Sequence, residues 1–245
     1  MSKFSKKPIL VEKKYLIPFI AITSMFFLWG VANDVTNPMV SAFKKVMPEL
    51  SNFQAALVQL AFYGGYGTMA IPAALFIRKY NYKSGILIGL LLYAIGAILF
   101  WPAAVYEQFT FFLMSLYILT FGLAFLETTA NPFILSLGDS RTATQRLNLS
   151  QAFNPIGSLM GMAIAQLIII ENLRSDDYSP DAYNALSPDQ IAFIRQEDLN
   201  IISEVYVGLG ILIFAVMFVI FFIKIPGKDE KSKLSVKENI NILRR

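Results

Sequence analysis

The chain has 245 residues, 56% of them hydrophobic, and a formal net charge of +4, with a mean hydropathy of +0.54. That apolar content excludes a soluble domain, and the length of the apolar runs excludes an outer-membrane barrel, so an all-α polytopic membrane protein is expected. The absence of Cys and His excludes disulfides, thiolate chemistry and Cys-based metal sites and leaves proton transfer near neutral pH to carboxylates.

Residues 1–14 form a basic tail. The apolar run behind it is too long for a cleavable signal peptide and lacks a small-residue cleavage site. The first span is predicted at about 15–43 and carries Asn33-Asp34-Val35-Thr36-Asn37-Pro38. Residues 15–32 alone are about long enough to cross a bilayer, so these polar residues are either inside the span or an external turn. The apolar continuation from Pro38 to Phe43 favours the first reading. Ser51 or Asn52 is placed to cap the second span, about 53–77, which contains Gln59, the Gly64–Gly67 cluster and Pro72.

The third span, about 84–102, is nearly free of polar groups and reads as scaffold. The fourth, about 109–137, contains Glu127, Asn131 and Pro132; the fifth, about 147–170, opens with Asn148, Gln151 and Asn154. Residues 171–200 are hydrophilic and acid-rich, and Ser187-Pro188-Asp189-Gln190 reads as the start of a short surface helix. The sixth span is predicted at about 201–225, followed by a basic stretch over 226–245. Lys and Arg gather in the two tails and in the loops after the second and fourth spans. The positive-inside rule then puts both termini in the cytoplasm and the acid-rich loop outside, in a multi-pass inner-membrane protein that binds no nucleic acid.

The first and fourth spans share a polar cluster ending in Asn-Pro (Asn37-Pro38, Asn131-Pro132). The second and fifth share an early Gln (Gln59, Gln151), then Phe62 or Phe153, then glycine and Met69 or Met160. Both pairs lie at nearly one offset. This reads as three spans plus three spans, and an odd number per repeat makes the copies inverted, as in secondary transporters.

Glu127 is the first candidate for chemistry. An ionisable group at membrane depth costs roughly 2.5–3.5 kcal/mol or more when charged, and is a functional-site hypothesis by default. Set among Phe and Leu, it can take a proton from one side and release it to the other. Its bland reading is a protonated packing residue. Asp34 is a second proton-coupling candidate or a sugar ligand, and shares a helical face with Asn37. Asn33, Asn37, Gln59, Asn131, Gln151 and Asn154 are amides that give and accept hydrogen bonds, which suits a hydroxyl-rich ligand; the alternative for each is interhelical glue. Trp29, Tyr63 and Tyr66 are of the type that stacks on sugar rings. Gly157-Ser-Leu-Met-Gly161 reads as a close helix-packing motif. A prenyltransferase-like enzyme would need clustered acids for Mg²⁺, and the first-span cluster has one. No metal site and no enzymatic activity is expected. A non-transporting scaffold, or a half-transporter that must oligomerise, remains the other class.

Phe26-Phe-Leu-Trp-Gly-Val-Ala-Asn33, Phe62-Tyr63, the run from Gly89 to Trp101-Pro102-Ala-Ala, Leu126-Glu127-Thr-Thr-Ala-Asn131-Pro132-Phe133, Arg146-Leu-Asn-Leu-Ser-Gln151-Ala-Phe-Asn154 and Leu186-Ser-Pro-Asp-Gln190 together resemble the L-fucose:proton symporters. These form part of the fucose–galactose–glucose branch of the major facilitator superfamily. The resemblance implies two six-helix bundles that alternate access around a central cavity lined chiefly by the first and fourth spans and their counterparts. It implies an L-fucose or related hexose substrate and a proton gradient as the driving force, with no cofactor. It gives Glu127 the role of the coupling carboxylate and sets Gln151 and Asn154 near the cavity. The family's first-span acid falls on Asn37, with Asp34 one turn earlier as its substitute. The six spans then correspond to the N-terminal bundle, with 226–245 as the start of a cytoplasmic linker, the chain truncated there, and a second six-helix half as the missing partner.

Overall fold

The computed structural model describes residues 9–223. Within them are six helical segments long and apolar enough to cross a membrane: Lys13–Val46, Asn52–Lys79, Tyr82–Val105, Phe109–Ser136, Ser140–Asn172 and Pro188–Phe222. Most of the expected basic tail and all of the expected linker at 226–245 lie outside the described residues.

Local chemistry sets where each span starts and where it bends. The second span begins on a capping box in which Ser51 accepts from the Gln54 amide and Gln54 returns the bond. Asn81 caps the third by accepting from the Ser84 amide. The first span runs as one helix through Asp34 to Thr36, turns at Asn37-Pro38 and resumes from Met39 to Val46. The polar cluster is therefore inside the span, and Pro38 is the break. The fifth span breaks at Ala152, where Pro155 lacks the N–H that would pair with the Gln151 carbonyl, and it carries a π-helical turn at Ala165–Ile169.

One boundary corrects the sequence reading. Ser187 does cap a helix, again with a capping box to Gln190. That helix is not a separate short surface element: it continues unbroken from Pro188 to Phe222 as the sixth span. No further proline interrupts it, and Ile194, Asp198, Leu199 and Ile202 give it a continuous buried face. The shorter elements before it are a 3₁₀ turn at Arg174–Asp177 and a helix at Pro180–Asn184.

The spans approach closely where they carry glycine. A Cβ on Gly157 would collide with the Phe27 carbonyl of the first span, and one on Gly30 with the Asn154 carbonyl of the fifth. The expected packing role of Gly157 and Gly161 holds. The first and fifth spans also share a 2.8 Å bond between Thr23 and Ser150. The second packs on the fourth where Gly65 faces Thr120. The third and sixth are joined by Phe100 and Tyr206, stacked at 3.8 Å. First on fifth and fourth on second are one contact under an inverted repeat, so the packing follows the 3+3 pattern.

Two polar networks mark the ends of the bundle. At the end that holds the described termini, Lys83 donates to the Phe221 and Ile223 carbonyls at 2.6 and 3.0 Å. There too, Arg146, completely buried, donates to the carbonyls of Leu10, Ile134, Leu135 and Asp139 and to the Thr142 hydroxyl. Beside it, hydrogen bonds from Arg141 pull the half-buried Asp139 carboxyl down to about 2. At the opposite end Lys45 pairs with Asp176 at 2.6 Å, Arg195 with Glu49 at 3.1 Å, and Arg174 with Glu197. Asp198, fully buried, accepts from the Arg174 and Ser175 amides at 2.7 and 3.1 Å.

Candidate functional site

A cavity of about 380 Å³ opens between the first, second and fourth spans, within the range of small-molecule sites. The first span contributes Trp29, Asn33, Asp34 and Asn37; the second contributes Phe62, Tyr63 and Tyr66; the fourth contributes Glu127. Positions 29, 33 and 37 follow one another at four-residue spacing with 34 beside them, so one side of the first span supplies the polar wall. Tyr63 and Tyr66 are three apart on the second span, again on one face.

The aromatic wall is held in place. Trp29 donates its indole N–H to the Tyr66 hydroxyl at 2.7 Å, and buried Phe62 meets both tyrosine rings edge-on, at 5.4 and 5.6 Å. Having accepted from Trp29, Tyr66 still has its own O–H to give. The polar wall is rich in acceptors. Asn37 Nδ2 donates to Asp34 Oδ1 at 2.7 Å, leaving Asp34 Oδ2 open. Asn33 Oδ1 is buried with no hydrogen-bond partner. The half-buried Glu127 carboxylate takes part in no hydrogen bond or ion pair among the described residues, and no cation lines the cavity. Unspent acceptors beside aromatic faces fit a neutral ligand that donates hydroxyl protons and stacks an apolar face. No group of acids of the size needed to hold a metal is present among the described residues.

The other expected ligands stand off this wall. Asn131 donates to the Glu127 carbonyl and accepts from Gln151, both at 3.2 Å. Asn154 donates to the Phe26 carbonyl at 3.2 Å. Gln59 is half-buried one turn before Tyr63 and is not among the lining residues. Phe62 and the Trp29–Tyr66 bond were not singled out from the sequence as parts of a site. Spacing marks a shared face along one helix, but it does not tell which residue of another helix that face will meet.

The profile of the Major Facilitator Superfamily matches residues 16–245. The L-fucose-proton symporter of Haemophilus influenzae is 56% identical over 238 residues, covering 95% of this chain and 55% of the relative. The glucose/galactose transporter of Brucella abortus is 35% identical over 159 residues, covering 65% of this chain and 38% of the relative. A crystal structure of the E. coli fucose:proton symporter, FucP, superposes with a TM-score of 0.79 at 36% identity, covering 95% of this chain and 56% of that one. The chain spans about half the length of the relatives it matches.

Proposed function

From the premise that the chain belongs to the major facilitator superfamily, we propose that it is the sugar-binding, proton-coupling six-span bundle of a sugar:proton symporter. The substrate is L-fucose or a related hexose. A second six-helix half completes the cavity, and the two bundles alternate its access across the cell membrane, with both termini of this bundle in the cytoplasm. The observation that carries this reading is the meeting of Asp34 and Glu127, from two different spans, in one cavity with Asn33, Asn37 and three aromatic rings.

The geometry supports the following roles. Sugar hydroxyls satisfy Asn33 Oδ1 and the open Asp34 oxygen, while Trp29, Tyr63 or Tyr66 covers the apolar face of the ring. Glu127 binds and releases the proton: it is the acid on the fourth span, with no ion-pair partner among the described residues to hold its charge permanently. Asp34 serves as the second carboxylate, since Asn37 cannot titrate. The test is proton-driven sugar accumulation against sugar exchange, measured on the full gene product in proteoliposomes. Glu127→Gln should leave exchange and sugar binding in place and lower accumulation by about two orders of magnitude. Normal accumulation by that variant would end the assignment.

A further inference from the structure

Gln151 and Asn154 flank the break at Ala152 in the fifth span, three residues apart. Each spends an amide N–H on another span. Gln151 Nε2 donates to Asn131 Oδ1, whose Nδ2 donates to the Glu127 carbonyl; Asn154 Nδ2 donates to the Phe26 carbonyl. One helix thereby reaches the backbones of the two helices that carry Glu127 and Asp34. Pro132 follows Asn131 and has no N–H to return to the Thr128 carbonyl, so the helix is short of a rung within a turn of Glu127. A side chain that bonds the backbone there, tied in turn to a neighbouring helix, fixes a turn that would otherwise be loose.

We propose that Gln151 is a positioning residue. With Asn131 it forms a strap from the fifth span to the Glu127 turn, sets where that carboxylate stands relative to Asp34, and makes no contact with sugar. This rests on the reading of Glu127 as the coupling carboxylate. Loss of the strap leaves the cavity-lining contacts of Asn33, Asp34 and Trp29 in place, so binding and coupling separate.

The experiment measures equilibrium binding of radiolabelled L-fucose and proton-driven accumulation across a pH series, on the full gene product in proteoliposomes. Gln151→Leu should hold L-fucose affinity within about threefold, while accumulation falls at least tenfold and its pH profile moves. The double exchange Asn131→Gln with Gln151→Asn rebuilds the strap with the two lengths swapped and should recover most of the accumulation. It also carries the test if Gln151→Leu is not monodisperse. Loss of L-fucose binding in Gln151→Leu, unrepaired by the exchange, would make Gln151 a ligand and overturn the proposal. Unchanged accumulation and pH profile would overturn it equally. Glu127→Gln is run beside them: coupled accumulation by that variant defeats the assignment of Glu127, whatever Gln151 does.

Discussion

Arg146 is among the largest completely buried side chains of the described residues, and its partners are carbonyls and a hydroxyl rather than a carboxylate. Two of those carbonyls, Ile134 and Leu135, belong to the last turn of the fourth span, where the helix dipole is negative; Ile134 also accepts from the Leu137 amide at 3.2 Å. The cation both caps that helix and holds the Leu10 carbonyl of the segment leading into the first span. Arg146→Met keeps the volume but takes the donor from the Leu10 and Leu135 carbonyls, so it should destabilise the protein by about 3 kcal/mol. A lower unfolding midpoint in detergent and faster tryptic cleavage at Lys13 and Lys14 would register it. Lys at 146 should recover part of the loss, since it keeps the charge without the fork. In the sequence Arg146 reads as a loop charge, because backbone acceptors leave no trace in residue types. Glu127 and Asp34 were legible for the opposite reason: an acid in an apolar run is costly wherever it packs.

At the scale of the helix, close contact decides more than composition does. Gly157 sits against the Phe27 carbonyl, whereas a Cβ on Gly67 would meet nothing within 4 Å. Gly157→Ala should therefore cost about 1–3 kcal/mol by forcing the first and fifth spans apart. Gly67→Ala should be neutral or stabilise by up to about 1 kcal/mol, since Ala is the better helix former. Thermal unfolding of the two variants side by side decides it, and equal midpoints would remove close packing as the reason for Gly157. The packing role of this glycine pair could be read from its spacing, but its partner helix could not. The sixth span was misjudged because a capping box announces where a helix starts, while only a breaker announces where it stops, and residues 189–200 contain none.

Across the whole molecule, the six spans and the three-plus-three repeat were legible because hydropathy, length and the paired Asn-Pro motifs all act along the chain. The networks at the two ends were not, because they join residues far apart in sequence. At the acidic end, Lys45–Asp176 joins the last turn of the first span to the segment between the fifth and sixth, and Glu49–Arg195 joins the loop after the first span to the start of the sixth. These exposed pairs are individually weak, but together with the Asp198 cap they tie this end into one unit. If the bundle moves as a rigid body, a bridge across this end should not hinder transport. Residues 1–245 contain no Cys, so once any Cys in the rest of the gene product is replaced, Cys introduced at 45 and 176 can be joined by a short bifunctional maleimide. Sugar uptake should persist at about its uncrosslinked rate, and a block would mean that this end opens during the cycle.

The contact between Arg146 and Leu10 spans 136 residues, and the Thr23–Ser150 bond spans 127. A ribosome adding about 5–20 residues per second makes those partners on the order of 10 s after the segments they hold. The first span thus enters the bilayer well before its own anchors exist. Its early companion is the second span, through Trp29 and Tyr66, only 37 residues apart. The wall of the cavity is in this sense assembled before the frame that will keep it in place.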